Sequence, residues 1–318
     1  MTRVAAIDCG TNSIRLLIAE LLPGHDGTVA LRDLHREMRV VRLGQAVDAT
    51  GALAPEALER TRSALVDYAA AAGREGAERV RMVATSATRD ASNTTEFFDM
   101  TERILGARAE IITGDEEAEL SFAGAVAEHQ PADGPFLVVD VGGGSTELVL
   151  GDWDGRTARV RAARSVDIGC VRITERALPS DPPTAAEIEQ ARKLAAETLV
   201  EAYEDVDVSA ARTWIGVAGT VTTMSAIAQE LSSYDSERTH LSVLDRGAIE
   251  RTTGWLLAAD HDTRAANPVI HPGRVDVMGG GALIVQALAE QLAERGGPAD
   301  LVVSEHDILD GIALSLSG

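Results

Sequence analysis

Short apolar runs that end in glycine-containing turns alternate along the chain with longer amphipathic segments. Residues 3–8 (RVAAID) and 14–21 (IRLLIAEL) are two such runs, and the Gly/Asn turn that joins them predicts a β-hairpin. A third strand is predicted near residues 37–43. The order of apolar strand, glycine turn and returning strand then recurs at residues 136–150.

The rest of the chain continues this alternation. Further strands are predicted at residues 79–85, 109–113, 157–164, 213–217 and 300–303. Helices are predicted at residues 55–72, in a segment that ends near 105, at 114–128, from 169, at 184–203, 221–231, 247–258 and 277–292, and from 306. Strands that alternate with helices predict α/β layers.

A turn cluster at residues 130–135 (QPADGP) is the predicted boundary between two domains. It gives one domain of residues 1–129 plus 306–318 and a second of residues 130–305. A chain of 318 residues, 45% apolar and 25% charged, is long enough for two globular domains that each bury a core.

Charge and composition exclude several classes of function. The net charge of −21 argues against general binding to nucleic acid or to an anionic membrane, because the protein's field repels polyanions. No apolar stretch of eighteen residues and no signal peptide is found, which predicts a cytoplasmic protein. Cys9 and Cys170 lack the spacing of a zinc site. Lys193 is the only lysine, so a P-loop is excluded.

Two glycine turns with the same organisation are the most informative feature. DCGTNS at residues 8–13 and DVGGGSTE at residues 140–147 each join an apolar strand and an aspartate to hydroxyl residues and a second strand, which suggests internal duplication. We expect glycine here to supply positive φ and close backbone approach, so that successive amides face one phosphate. The candidate phosphate-binding residues are Asp8, Thr11, Asn12, Ser13, Gly142, Gly143, Gly144, Ser145 and Thr146.

The aspartate at the end of each first strand indicates a metal. Carboxylate oxygens are hard ligands that hold Mg²⁺ beside phosphates, where the cation screens charge. A single turn of this type is most often an ordinary hairpin, and the pair carries the prediction. Mg²⁺ is the predicted cofactor, with Mn²⁺ as a substitute.

Glu117, or its neighbour Glu116, is the candidate base. Both follow Gly114 in the first turn of a predicted helix, where an acidic residue also compensates the helix dipole without any catalytic role. The functional alternative is a carboxylate that orients or deprotonates an attacking water. Arg89, in TSATRD, either clamps phosphate or caps a helix at the surface.

Other candidates carry weaker signals. Arg15, Arg172 and Arg274 are possible phosphate contacts, and Gly219 and Thr220 lie between a predicted strand and helix, as a phosphate loop would. The glycine run at residues 279–281 is interpreted as a helix start or a packing point. The histidines are interpreted as surface or capping residues, since the pairs at 261–262 and 306–307 lack the partners of a metal phosphohydrolase.

Five motifs, in this order, resemble one known family: IDCGTNS at 7–13, ATSATR at 84–89, ITGDEEA at 112–118, VDVGGGSTEL at 139–148 and VAGT at 217–220. They are similar to the exopolyphosphatase/guanosine pentaphosphate phosphohydrolase (Ppx/GppA) family of the actin, hexokinase and Hsp70 superfamily. The resemblance implies two actin-like, ribonuclease H-like domains with a cleft between them.

The resemblance also implies roles. Glu117 matches the family's catalytic glutamate, Asp140 and Glu147 match its Mg²⁺-organising acidic pair, and Arg89 matches an arginine that faces the phosphates. The substrate would be inorganic polyphosphate or a guanosine polyphosphate, and the protein a homodimer. Longer members add C-terminal helical domains beyond the length of this sequence, which together with its acidity favours short polyphosphate chains.

Three alternatives remain at this point. One is hydrolysis of guanosine pentaphosphate. Another is a phosphotransferase of the same superfamily that uses the two turns on ATP, and release of phosphate without any acceptor would distinguish it. The last is a non-enzymatic protein, either a sensor that binds an alarmone or polyphosphate with little turnover or a partner-binding actin-like protein.

Overall fold

The computed structural model describes residues 2–24 and 28–317; the first and last residues of the predicted N-terminal domain, 1 and 318, lie outside this range. In the described chain the strands are β1 Thr2–Cys9, β2 Ser13–Pro23, β3 Val29–Val40, β4 Arg79–Ala84, β5 Glu110–Ile111, β6 Phe136–Val141, β7 Thr146–Trp153, β8 Ala158–Val166, β9 Thr213–Val217, β10 Val243–Leu244 and β11 Leu301–Val303.

The α-helices in the same part of the chain are α1 Val47–Thr50, α2 Pro55–Glu75, α3 Ser86–Arg89, α4 Thr94–Leu105, α5 Gly114–Val126, α6 Cys170–Ala177, α7 Ala185–Val200, α8 Ala218–Ala228, α9 Ser236–Thr239, α10 Arg246–Ala258, α11 His261–Ala265, α12 Met278–Glu294 and α13 Ile308–Ser315. The predicted α/β class is confirmed by this alternation of strands and helices.

The chain divides into two compact units. Unit 1 contains Met1–Gly124 and Ile308–Gly318, and unit 2 contains Ala125–Asp307. The domain limits predicted from the sequence, 129/130 and 305/306, lie a few residues inside unit 2. Unit 1 is therefore built from both ends of the chain, whereas unit 2 is one continuous segment.

The central strands of unit 1 are buried on both faces, and the two faces carry alternate residues. In β1, Ala5 and Ile7 pack into a cluster with α2 and α4, while Val4 and Ala6 pack on the opposite side with α13. Successive side chains of a strand point to opposite faces, so an unbroken apolar run is what a doubly covered strand requires. The apolar side chains that α13 adds are those of Ile308, Leu309, Ile312 and Ala313.

The two units repeat one sheet topology. The sheet of unit 1 has the order β3-β2-β1-β4-β5, and that of unit 2 has the order β10-β11-β9-β6-β7-β8. In unit 1, β1 pairs antiparallel with β2 and parallel with β4; in unit 2, β6 pairs antiparallel with β7 and parallel with β9. The internal duplication suggested by the two glycine turns thus extends to the order and direction of the strands around them.

Some predicted elements are shifted. The third strand begins at Val29, well before the predicted residue 37, because its polar positions face solvent at the edge of the sheet and carry no apolar signal. The helix predicted from residue 221 begins at Ala218, so Gly219 and Thr220 lie in its first turn and not in a preceding loop. The two-residue strand β10 and the short helices α9 and α11 were missed.

Among the described residues, no helix combines the length and the apolar character that crossing a membrane would demand.

Candidate functional site

The first glycine turn joins β1 to β2 in unit 1. The Gly10 amide donates to the Ser13 carbonyl at 3.0 Å, which closes the turn. The prediction that its glycine supplies positive φ is wrong: Gly10 does not adopt the left-handed region, and a Cβ at this position would lie 3.5 Å from the Ser13 carbonyl oxygen. Asn12 is buried, and its carbonyl accepts from the amides of Val41 and Arg42. The loop after β3 therefore fixes the backbone of this turn.

The second glycine turn, in unit 2, closes in the same way. The Gly142 amide donates to the Ser145 carbonyl at 3.1 Å. Gly142 is also outside the left-handed region, and a Cβ there would come within 3.1 Å of that carbonyl oxygen. The lack of room for a side chain, and not a positive φ, therefore explains the glycine at position 142. Ser145 and Thr146 are buried, and the Thr146 hydroxyl donates to the Ile168 carbonyl at 2.5 Å.

The residues opposite the two aspartates differ. Asp8 pairs in register with Arg15, whose Nη2 and Nε donate to Oδ2 of the aspartate at 2.7 and 3.0 Å. Asp140 pairs in the corresponding register with Glu147. The duplicated strands thus place a cation beside the first aspartate and a second carboxylate beside the other.

The acidic pair in unit 2 suits a divalent cation. Asp140 and Glu147 are 6% and 1% exposed, and residues directly opposite on antiparallel strands have their side chains on one face. Two buried carboxylates at such positions repel each other unless a cation or a proton compensates them. The Ser165 hydroxyl donates to Glu147 Oε1 at 2.7 Å and orients that carboxylate. The donors are all hard oxygens, which is the ligand type that Mg²⁺ and Mn²⁺ take.

Thr11 has a buried hydroxyl for which the described residues offer no hydrogen-bond partner. The segment that follows β3 packs against it: Gly44 donates its amide to the Thr11 carbonyl at 2.8 Å, and a Cβ on Gly44 would collide with the Thr11 methyl group. A buried polar group without a partner costs free energy unless a ligand or a water satisfies it. Thr11 therefore fits the predicted role of a donor to a bound oxygen.

Arg89 and Glu117 are brought together within unit 1. Arg89 Nη1 donates to Glu117 Oε2 at 2.7 Å and to the Ile112 carbonyl at 3.0 Å. The Glu117 side chain is 11% exposed. One bond from Nη1 fixes the carboxylate and the other anchors the same nitrogen on the Ile112 carbonyl, so the N–H groups of Nε and Nη2 remain for other acceptors.

Glu116 lies in a different environment. Its side chain is 43% exposed and accepts from Arg81 Nη2 at 2.9 Å. Its amide donates to the Thr113 hydroxyl oxygen at 3.1 Å, a bond that caps the start of α5. The structure therefore separates the two neighbouring glutamates: Glu116 lies at the surface and the helix terminus, and Glu117 is mostly buried and paired with Arg89.

Helix α6 is docked onto the second glycine turn. The amides of Cys170 and Val171 donate to the carbonyls of Gly142 and Gly143, each at 2.9 Å. Gly169 permits this approach, since a Cβ there would lie 2.5 Å from the Gly143 carbonyl oxygen. The first-turn amides of α6 are consequently used to hold the turn. Burial raises the pKa of the Cys170 thiol to about 11, so it behaves as a packing residue.

The first turn of α8, which follows β9 directly, lies beside the acidic pair, because β9 and β6 are parallel and Val217 pairs with Asp140. Ala218 has φ +69°, a left-handed conformation that is uncommon outside glycine. The backbone of Gly219 lies against the guanidinium of Arg274, which a Cβ would overlap. Gly281 packs in the same way on Thr220, since a Cβ on Gly281 would lie 2.6 Å from the Thr220 methyl carbon. The glycine run at 279–281 is thus both a helix start and a packing point.

Comparison with known proteins identifies the family. The model of the Ppx/GppA phosphatase family matches residues 17–316. The chain belongs to the Ppx/GppA phosphatase family. The family resemblance drawn from the five motifs is therefore confirmed.

Three relatives describe how far the similarity extends. Exopolyphosphatase 2 of Mycobacterium tuberculosis is 56% identical over 323 residues, which cover 100% of this chain and 99% of that protein. A crystal structure of an exopolyphosphatase-like protein has a TM-score of 0.91 and 44% identity and covers 99% of this chain and 98% of that one. The guanosine-5'-triphosphate,3'-diphosphate pyrophosphatase of Aeromonas salmonicida is 31% identical over 91% of this chain and 55% of that protein. The actin-like fold class is confirmed by this structural similarity.

Proposed function

We propose that this Ppx/GppA protein is an exopolyphosphatase, which releases orthophosphate from the end of inorganic polyphosphate by attack of water on the terminal phosphorus. The observation that carries the proposal is the ion pair of Arg89 and Glu117, which places an oriented, mostly buried carboxylate in the first turn of α5. Similarity over the full chain to a protein named exopolyphosphatase supports the choice of substrate.

In this mechanism Glu117 accepts a proton from the attacking water, and Arg89 is the residue that orients the carboxylate. The water oxygen bonds to the terminal phosphorus, the bridging P–O bond breaks, and the shortened chain leaves as the electron pair returns to its terminal oxygen. Backbone amides of the glycine turns and the Thr11 hydroxyl bind phosphate oxygens that carry developing charge.

Asp140 and Glu147 would hold Mg²⁺, with Ser165 fixing the orientation of Glu147. When bound, the cation supplies charge neutralisation for the phosphates. In unit 1 the positive charge beside Asp8 comes from Arg15 of the chain itself. We therefore assign the metal to the second turn and phosphate binding without a metal to the first.

Short polyphosphate is the preferred form in this proposal. A net charge of −21 repels a long polyanion, and only locally placed arginines and amides offset that repulsion. Hydrolysis of guanosine pentaphosphate is the second candidate, favoured by the similarity to the Aeromonas protein, though at 31% identity against 56% for the exopolyphosphatase. We further propose that the protein is cytoplasmic, forms a homodimer and acts in the stringent response.

The test is phosphate release from polyphosphates of defined length and from guanosine pentaphosphate, with Mg²⁺, for the wild type, Glu117→Ala and Glu116→Ala. Glu116 is the matched control, since it is the neighbouring glutamate of the same helix turn. We expect Glu117→Ala to lose about three orders of magnitude of kcat and Glu116→Ala to retain wild-type turnover.

Other outcomes would change the assignment. Equal losses in both variants would show an effect on α5 and contradict the role of Glu117. Binding of polyphosphate without release of phosphate by the wild type would make the protein a sensor. Phosphate transfer that requires an acceptor would indicate a kinase.

A further inference from the structure

A cluster of three side chains with metal-ligating chemistry lies in unit 2, away from the glycine turns in sequence. His240 Nε2 is 2.9 Å from Glu128 Oε2, and His306 Nε2 is 3.7 Å from Glu128 Oε1. One ligand atom from each residue lies within 4.8 Å of the other two. The two imidazole rings meet edge to face with centroids 4.9 Å apart.

The chemistry of this set is that of a transition-metal site. Two imidazoles with one carboxylate bind Zn²⁺ and related ions, with a further position left to water. Each oxygen of Glu128 faces a different imidazole, so the carboxylate is central to the cluster. The side chains are 52%, 17% and 31% exposed for Glu128, His240 and His306, which allows an ion to enter from solvent.

Neighbouring groups hold the two histidines in place. Ser304 donates its hydroxyl to the His306 carbonyl at 2.8 Å and accepts from the His306 amide at 3.1 Å. The Glu305 amide donates to His240 Nδ1 at 3.2 Å. Glu305 is itself anchored by the Tyr234 hydroxyl, which donates to its carboxylate at 2.5 Å. The cluster is therefore supported by a hydrogen-bonded loop.

One contact opposes metal binding and limits its strength. Because His240 Nδ1 accepts from the Glu305 amide, the proton of the neutral ring lies on Nε2 and is donated to Glu128. A metal at Nε2 takes the place of that proton, and the neutral ring then carries its proton on Nδ1. Nδ1 can no longer accept from the Glu305 amide, so this hydrogen bond is lost. The ligand atoms must also draw together, since zinc–nitrogen bonds are about 2.0–2.1 Å long. We therefore expect micromolar affinity, weaker than that of a closed structural zinc site.

We propose that Glu128, His240 and His306 form a binding site for one divalent transition ion of the zinc type. Glu128 follows the start of unit 2 at Ala125 closely, and His306 is the residue before its last, Asp307. The ion would thus cross-link the first and last segments of this unit to His240 at the end of α9. Its effect is to stabilise unit 2, since a ligand that binds only the folded state shifts unfolding by mass action.

The test is a titration of chelator-stripped full-length protein with Zn²⁺ alone, followed by competition with a chromogenic chelator. We expect one equivalent to bind in the wild type, with at least tenfold weaker binding in His240→Ala, His306→Ala and Glu128→Gln, and a Zn²⁺-dependent rise in Tm that the variants lose. The control is His35→Ala, which removes a histidine that contacts Glu37 at 3.1 Å in unit 1. A second variant, Glu147→Gln, tests whether the bound Zn²⁺ lies instead at the acidic pair of Asp140 and Glu147.

The proposal is overturned if the wild type shows no saturable equivalent up to about 100 μM Zn²⁺, or if the equivalent persists in the histidine variants and disappears in Glu147→Gln. Should a histidine variant fail to fold, Glu128→Gln decides the question, because its side chain is the most exposed of the three. Undiminished Zn²⁺ affinity in that folded variant would also count against the site.

Discussion

Asp140 lies directly opposite Glu147 across β6 and β7, and both carboxylates are buried on the same face of the strand pair. In unit 1 the same register places Arg15 opposite Asp8. The register of one copy of the duplicated hairpin therefore places a guanidinium beside its aspartate, while that of the other places a second carboxylate there. This difference determines what each turn is expected to do.

We expect Glu147→Gln to raise the Mg²⁺ concentration for half-maximal activity at least about tenfold, because one oxygen ligand loses its charge. In the presence of a chelator, the free energy of unfolding of this variant should equal or exceed that of the wild type, because the substitution removes a negative charge beside Asp140. Activity against Mg²⁺ and urea denaturation measure the two effects.

Glu20→Gln is the control for this variant. Glu20 is 5% exposed and pairs with Arg32 in unit 1, so the substitution should lower stability and leave the Mg²⁺ requirement unchanged. A Glu147→Gln variant that loses stability in chelator and keeps its Mg²⁺ dependence would contradict the assignment of the metal.

Arg15→Met should destabilise unit 1 by about 3–5 kcal/mol, because it leaves the buried Asp8 carboxylate without its opposing guanidinium. The double variant Asp8→Asn/Arg15→Met should regain most of the loss, since it removes both charges. Urea denaturation of the single and double variants measures the coupling. If Arg15→Met lowers the free energy of unfolding by less than about 1 kcal/mol, the pair is as weak as a solvated ion pair at the surface.

Arg89→Lys should lower kcat about a hundredfold while KM changes little. Lysine keeps the charge, but its shorter side chain does not bring the ammonium to the position from which Arg89 Nη1 bonds both Glu117 and the Ile112 carbonyl, and small errors in the position of a base are costly. Arg81→Lys is the control, since Arg81 bonds the exposed Glu116 and Glu110. A rise in KM at constant kcat would instead make Arg89 a phosphate clamp.

Gly169→Ala should destabilise the protein by about 1–3 kcal/mol and reduce activity, because its Cβ would lie 2.5 Å from the Gly143 carbonyl oxygen. The backbone of Gly169, at φ −147°, suits alanine, so the effect isolates the loss of space. Gly254→Ala is the matched control: it lies within α10 with nothing within 4 Å of a built Cβ, and it should stabilise by about 0.5–1 kcal/mol. Thermal unfolding and phosphate release measure both, and similar behaviour of the two variants would contradict the packing argument.

The sequence was informative where apolar runs meet glycine turns. Both hairpins and the turns within them could be predicted because a buried strand and a tight turn each leave a local pattern. The expectation of positive φ was wrong at Gly10 and Gly142, and the crowding by a carbonyl oxygen that Gly142 avoids leaves the same sequence pattern as a need for positive φ. Register was also beyond reach, so the pairing of Asp8 with Arg15 could not be anticipated.

Contacts between distant segments explain the rest of what was missed. Gly44 supports Thr11 from a loop with no motif of its own, and His240 meets Glu128 across 112 positions of sequence. The histidines were interpreted as surface or capping residues because no local spacing relates them. His271 does cap, as its Nδ1 accepts from the Gly273 amide.

The position of α13 has a consequence for synthesis on the ribosome. The strands of unit 1 precede unit 2 in the chain, yet the apolar face that carries Val4 and Ala6 is covered by residues 308–313, which are translated only after unit 2. Unit 2 is continuous and can complete its core earlier. The sheet of unit 1 therefore keeps one apolar face uncovered while unit 2 is being translated, and during that interval this face is a site on the nascent chain where chaperones would bind.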